Sequence, residues 1–176
     1  MFGLKKQEKI VDYLSYYVEP HKKKSREVKE KDLKRVVKDS EIMYHLCYTK
    51  RGLYPGAFAI AHQQITKNDP LRFFATREGE IIINPVIIRH TEVPVNLSEG
   101  CLSFPTKKPK MVQRYWKCDV EYQTINRIPW TGELDKDPNI KIKLTEKKIE
   151  KAKGIRAQVF QHELGHMEGE LIYFID

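Results

Sequence analysis

His162-Glu163-Leu164-Gly165-His166 sets two imidazoles four positions apart, with a carboxylate directly after the first. On an α-helix, residues i and i+4 share a face, so both rings can bind one divalent metal ion. Glu163 is then aimed at the position of a water on that ion, where a carboxylate can accept and return a proton. The plainer alternative is a solvated helix face that happens to carry two histidines. Before the motif, residues 154–161 place Ile155, Val159 and Phe160 as an apolar stripe. That spacing predicts an amphipathic helix able to carry the histidines into a core.

Two histidines leave the chemistry open; a third ligand decides it. A metzincin-type protease extends the pattern to HExxHxxGxxH, which His162 to Gly169 follow, but the eleventh position is Ile172. Other zinc proteases place a glutamate well downstream. Here Glu168, Glu170 and Asp176 are the acids on that side, and Glu168 stands too close along the helix to reach back easily. The third ligand is therefore expected upstream. A candidate there is Cys101, within Glu99-Gly100-Cys101-Leu102-Ser103-Phe104-Pro105; its alternative is a buried, inert thiol.

The segments AFAIAHQQI at 57–65, EGCLSFP at 99–105 and QHELGH at 161–166 resemble the three signatures of peptide deformylases, GxGxAAxQ, EGCLS and QHExDH, in the same chain order. Ile83-Asn84-Pro85, Gly154-Ile155-Arg156-Ala157 and Gly169-Glu170-Leu171 through Asp176 add matches between and after them. The resemblance covers about residues 30–176. It implies an α+β fold, antiparallel β-sheets around a central metal-bearing α-helix, with an N-terminal helix. It also implies removal of formyl from the formyl-methionine of nascent peptides, with release of formate.

On this resemblance Cys101, His162 and His166 hold one divalent ion, Fe(II) in first place, with Zn, Ni or Co suited to the same donors. One thiolate and two imidazoles leave a fourth tetrahedral position for water, and Gly100 lets backbone come close to the site. Glu163 is the proton acceptor, while the Gln64 amide and the Leu102 N–H stabilise the developing oxyanion. Phe58, Leu97, Ile155 and Val159 line the methionine pocket, and the backbone of Ala59 and Gly100 pairs with the peptide as an added strand. Arg114 is expected to orient Glu99, or to make only a surface pair with it. Lys107 or Lys108 stands in for the arginine that the family carries after its second motif.

The chain departs from the pattern at two places. Gly165 replaces the aspartate of HExDH, removing an outer carboxylate and introducing a residue that weakens a helix by about 1 kcal/mol against alanine. In the first motif Ala57 and Ala59 stand at glycine positions and His62 at the second alanine. The alanines need ordinary negative φ values. His62 is read either as a group beside the site or as a ring turned out of the strand.

The elements that must position these residues follow from periodicity. Residues 1–24 read as an arm that Tyr13, Tyr16 and Tyr17 could dock, and residues 25–176 as one catalytic domain. Leu33, Val36, Val37, Ser40, Met43, Tyr44 and Cys47 predict a helix from about Glu27 to Lys50, ended by Gly52 and Pro55-Gly56. Leu71–Thr76 and Ile81–Arg89 predict strands joined by a hairpin at Glu78-Gly79. Met111–Thr124 predicts one longer strand, residues 125–139 a loop-rich insertion and Ile140–Leu144 an edge strand whose lysines discourage pairing. Lys147–Lys153 fits either a helix start or a strand.

Composition narrows the class. With 32 Lys and Arg against 24 Asp and Glu, the net charge is +8. That balance favours polyanionic surroundings, the ribosome for a chain of this resemblance, or else reflects a lysine-rich solvated surface. Three cysteines argue against a disulfide framework and for a reducing compartment; Cys47 and Cys118 are expected to pack. No run reaches membrane-spanning length, and the lysine-rich first forty residues carry too many acids for a transit peptide. A cytoplasmic monomer is expected, in a bacterial cell or the cytoplasm of a virus-infected host. The form is short, without the C-terminal helix of many bacterial members, and Lys-, Ile- and Tyr-rich as in a small or AT-rich genome. Two rivals remain: a minimal HExxH zinc peptidase, which would tolerate loss of Cys101, and a non-catalytic metal-stabilised ribosome-associated domain, which would close the site with a fourth protein ligand.

Overall fold

A computed structural model describes residues 23–48, 57–66, 68–104, 107–126 and 141–174. The expected arm and most of the expected insertion lie outside the described residues. A 3-10 turn, Glu30–Asp32, leads into helix α1, Leu33–Tyr48. Its residues Leu33, Val36, Ser40, Met43, Leu46 and Cys47 are buried, the repeat of a helix with one packed face. Ser40 satisfies its buried hydroxyl by donating to the Val37 carbonyl at 2.9 Å.

Seven strands follow: β1 Ala59–Ala61, β2 Phe73–Thr76, β3 Ile81–His90, β4 Pro94–Glu99, β5 Lys110–Tyr115, β6 Lys117–Gln123 and β7 Lys148–Lys153. Helix α2, Ile155–Glu168, comes last. Five strands form one antiparallel sheet in the order β1-β2-β3-β6-β7, and β4 pairs with β5 in a second. The fold class is α+β, as expected.

Strand β2 and the start of β3 are buried at every position. Phe73, Ala75, Ile81 and Ile83 pack with α1, whereas Phe74 and Ile82 pack with α2. A strand covered on both faces reads as a continuous apolar run rather than an alternation. The hairpin falls where Glu78-Gly79 placed it: Gly79 adopts φ 91°, and its N–H donates to the Thr76 carbonyl at 3.0 Å. Further along β3 the register shifts between Ile83 and Val86, and Asn84 takes φ 52°. Its side-chain amide accepts from the Val28 N–H at 2.8 Å and donates to the Val28 carbonyl at 3.0 Å. Pro85 sits within this bulge, where a residue without an N–H is tolerated.

Three expectations need correction. Met111–Thr124 is not one strand: the chain breaks at Trp116 into β5 and β6, which belong to different sheets. The Trp116 carbonyl accepts the Gly154 N–H at 2.9 Å, and its indole lies 3.5 Å from where a Cβ on Gly154 would stand. Gly154 has φ 61° and could not easily carry a side chain there. The edge strand at Ile140–Leu144 reduces, among the described residues, to a single bridge between Leu144 and Ile125. The lysine-bearing edge is instead β7, which settles Lys147–Lys153 as a strand with Lys148, Lys151 and Lys153 exposed. Finally, the stripe Ile155-Val159-Phe160 is only in part the packed face of α2, since Phe160 is buried and Val159 packs at its margin but Ile155 does not. Ala157, Phe160, Leu164 and Met167 pack on the five-stranded sheet, and Ile155 is 60% exposed. No helix among the described residues is long and apolar enough to cross a membrane.

Candidate active site

Helix α2 carries a second face, Ile155, Val159, His162 and His166, beside that core, with Val159 at its margin. Positions i, i+4, i+7 and i+11 fall on one side of a helix. Two glutamines tie it to the small sheet. Gln161 accepts from the Tyr115 N–H and donates to the Tyr115 carbonyl, both at 2.8 Å, and Gln158 donates to the Ser98 carbonyl at 3.1 Å. Cys101 follows β4 in a turn closed by the Phe104 N–H on the Cys101 carbonyl, 2.9 Å. Phe104 then packs with Leu171, Ile172 and Tyr173 from beyond α2.

The result is a convergent donor set. The ligand atoms of Cys101, His162 and His166 all lie within 4.8 Å of one another, and Cys101 Sγ is 3.3 Å from His166 Nε2. Among the described residues no fourth protein donor joins them, so a tetrahedral ion held there would keep one position for water or substrate. The residues fit one divalent ion.

Charges around the set are ordered by a buried relay. Arg114 donates to both oxygens of Glu99, at 2.8 and 2.9 Å, and Glu99 Oε2 meets His162 Nδ1 at 2.9 Å. The pair is an orienting one rather than a surface contact, since Glu99 is buried and the Arg114 side chain is only 12% exposed. Burial alone would raise Glu99, but the hydrogen bonds from His162 and Arg114 outweigh it and hold the carboxyl below its ordinary range. Burial likewise opposes charge on His162, yet bonds to Cys101 and Glu99 lift it to about 10. His166 is driven well below the ordinary imidazole value by burial and by the neighbouring His162 and Arg114. Burial raises Glu163 to about 7 against the pull of His162, and its Oε2 is enclosed without a hydrogen-bond partner. A carboxyl balanced near neutrality, with one free oxygen, suits proton transfer in both directions.

On the opposite side, the 3-10 turn His62–Gln64 presents Gln64. Its Oε1 accepts the Ala61 N–H at 2.9 Å, which turns the amide nitrogen towards Ser103 Oγ at 3.1 Å and Cys101 Sγ at 4.0 Å. A cavity of about 630 Å³ opens between these parts. Of the expected site residues, Phe58, Ala59, Gln64, Gly100, Cys101, Leu102, Ile155, Val159, His162 and Glu163 line it. His166 lies buried behind. Leu97 is not among the lining residues; its strand neighbour Ser98 is, as alternation along β4 requires. Of the two lysines, Lys107 faces the cavity, with its ammonium 5.1 Å from the Tyr173 ring centre.

The sequence matches the polypeptide deformylase family over residues 9–175. The chain belongs to the peptide deformylase family. The peptide deformylase of Pelagibacter ubique is 32% identical over 100 residues, 57% of this chain and 46% of that one. That of Thermotoga neapolitana is 31% identical over 144 residues, 80% of this chain and 70% of that one. The chain spans about half the length of the first of these curated relatives. Among solved structures, the Thermotoga maritima peptide deformylase is similar with TM-score 0.60 and 28% identity, covering 86% of this chain and 87% of that one. The PDF of the Vibrio parahaemolyticus bacteriophage VP16T, in complex with actinonin, is similar with TM-score 0.61 and 27% identity, covering 85% and 91%.

Against the deformylase pattern, the departures now have physical contents. Gly165 is no eroded position: a Cβ there would stand 3.3 Å from the Glu170 carbonyl oxygen. The chain folds back at Gly169, φ 79°, and the Glu170 N–H donates to the Gly165 carbonyl at 2.8 Å, a Schellman-type close. Ala57 and Ala59 keep negative φ. Gly100 is not required by packing within the chain, since a Cβ there meets nothing within 4 Å. His62 does neither thing expected of it: it is fully buried, away from the cavity lining, and bonded at both ring nitrogens. Cys47 and Cys118 pack as expected, and burial raises both thiols, Cys118 to about 11. Reading the sequence missed Ser103 and Gln158. Gln158 stands four before His162, and that helical spacing would have flagged it; Ser103 is the last residue of the EGCLS match, which would have flagged it too.

Proposed function

We propose that this chain removes the formyl group from the amino terminus of formyl-methionyl peptides, releasing formate. The observation that carries the reading is the convergence of Cys101, His162 and, just behind them, His166 at a cavity that also holds Glu163 and the Gln64 amide. A divalent ion bound by those three residues supplies Lewis acidity, lowering the pKa of a water and polarising the formyl carbonyl. Fe(II) is the favoured ion; Zn, Ni and Co suit the same donors.

The chain's own residues do the rest. Glu163 takes the proton of the attacking water on its free oxygen and passes it to the amine as the C–N bond breaks. The Gln64 amide and the Leu102 N–H donate to the oxygen that gains charge, a role whose loss typically costs about 10²–10³ in rate. Phe58, Ile155 and Val159 receive the methionine side chain, and Ala59 and Gly100 offer backbone to the peptide. Lys107 takes the place of the arginine after the second motif, with a looser grip than a guanidinium fork. The +8 charge supports work beside the ribosome; a cytoplasmic monomer belongs to the same proposal.

The test is formate release from formyl-Met peptides by protein loaded anaerobically with Fe(II) or Ni(II), beside an unformylated control. Cleavage of internal peptide bonds without formate would point instead to a peptidase.

A further inference from the structure

His62 stands where the deformylase signature has alanine, and it is not there to fill space. Its side chain is fully buried and stacks on Phe73 with ring centres 4.6 Å apart. Nδ1 accepts the Leu71 N–H at 2.9 Å, so the ring proton lies on Nε2, which donates to Asp39 Oδ2 at 3.0 Å. Asp39 is on α1, and the same oxygen takes Arg35 Nε at 3.3 Å, one helical turn earlier. The Arg35 guanidinium also donates to the carbonyls of Asn68 and Asp69, each at 3.0 Å. Arg35 and Asp39 therefore grip both ends of the segment that begins at His62. Gln64 lies two residues on and faces the other way, into the cavity.

We propose that His62, gripped by Asp39, is a positioning residue for Gln64, fixing from behind the turn that presents the Gln64 amide to the reacting carbonyl. An alanine would make neither ring hydrogen bond and would leave the Leu71 N–H without its acceptor. Asp39 instead holds His62 in the turn itself, and Arg35 holds the far end of the segment at Asn68 and Asp69. The turn's other face must hold a donor to within a fraction of an ångström, and small misplacements of such groups cost rate steeply. The assignment rests on the deformylase reading above.

A double-mutant cycle separates positioning from general support of the core. His62→Ala, Gln64→Ala and the double variant are compared for kcat, KM and metal content, and the order parameter of the Gln64 side-chain amide is measured by NMR in the metal-loaded protein. His62→Ala should lower kcat about tenfold with metal content unchanged, and should lower it no further once Gln64 is alanine. The Gln64 amide should become more mobile. Asp39→Asn keeps an acceptor for Nε2 and should retain most of kcat, whereas Asp39→Leu should behave like His62→Ala; this pair carries the test if His62→Ala does not fold. Equal losses with and without Gln64, or an unchanged amide order parameter, would overturn the proposal. Should the metal-loaded protein release no formate, the proposed reaction fails, and the amide measurement still decides the positioning.

Discussion

The two walls of the cavity are built on different principles. On the α2 wall, the ligands and their supports form one continuous polar chain, Arg114 to Glu99 to His162, with Cys101 beside it. On the first-motif wall, Gln64 is set by its own turn and by contacts from behind, through His62, Asp39 and Arg35. Ligand geometry tolerates few substitutes, so the first wall keeps the family's residues apart from Gly165. A hydrogen-bond donor needs only a rigid turn, and several scaffolds can supply one. That is why the signature could change at Ala57, Ala59 and His62 while Gln64 still points at Cys101.

The sharpest way to break this comparison is Glu163→Gln. The amide fills the same space but cannot carry a proton, so turnover should fall about 10²–10⁴-fold with metal content unchanged. Both quantities are measured on one sample. Retention of more than about a tenth of the rate would remove Glu163 from its role.

Cys101→Ser comes next, because a hydroxyl is a far poorer ligand than a thiolate. Metal affinity should weaken at least about tenfold, read as metal retained after dialysis against a mild chelator. Unchanged stoichiometry would reject Cys101 as a ligand. Arg114→Leu acts one step further out. It frees Glu99 from its bidentate partner, and losing an outer hydrogen-bond partner of a ligand typically costs about ten- to a hundredfold in affinity or activity. An effect on stability alone, with metal affinity intact, would reduce the relay to a structural pair.

The parts legible in the sequence were those whose chemistry is local. HExxH sits on a single helix, so residue spacing alone brings out its donors, and EGCLS is one short contiguous segment, recognisable by its resemblance to the family signature. The hairpin at Gly79 and the α1 stripe are equally local. What stayed hidden depends on partners distant in sequence. Among the described residues strand β4 pairs only with β5, and nothing in Pro94–Glu99 announces it. The break at Trp116 exists because Gly154 bonds its carbonyl, 38 positions along the chain. Likewise the face of α2 could not be assigned, because the helix buries apolar residues on one side and titratable ones on the other.

Gly165→Asp would restore the family's aspartate, and by sequence alone it should stabilise. The folded-back turn reverses that expectation. The Glu170 carbonyl, 3.3 Å from the new Cβ, belongs to backbone already fixed by its hydrogen bond to Gly165. A carboxylate added there also meets a carbonyl oxygen. We expect a loss of about 1–2 kcal/mol, read as a fall of about 3–6 °C in melting temperature. Gly165→Ala should be nearly neutral, since a gain of about 1 kcal/mol in helix propensity offsets the tight contact. A rise in melting temperature for the aspartate variant would show that the turn can move aside.

The smallest effect tests the first-motif wall through pH. His62 is held below the ordinary imidazole value of 6.5, chiefly by burial and to a lesser degree by Arg35, while Asp39 and Asp69 pull the other way. The folded chain therefore resists a proton that the unfolded chain accepts once the pH falls below about 6.5. Stability from neutral His62 is complete above that value and is lost progressively as the pH drops towards the lower folded-state value. His166 contributes with the same sign and His162 with the opposite one, so the wild-type curve alone is not diagnostic. The comparison is with His62→Gln, which cannot titrate. Between about pH 7.5 and pH 5.5 the wild-type melting temperature should fall further than that of the variant. Parallel curves would mean that His62 takes up its proton in the fold as readily as in the unfolded chain, with the pull of Asp39 cancelling the effect of burial.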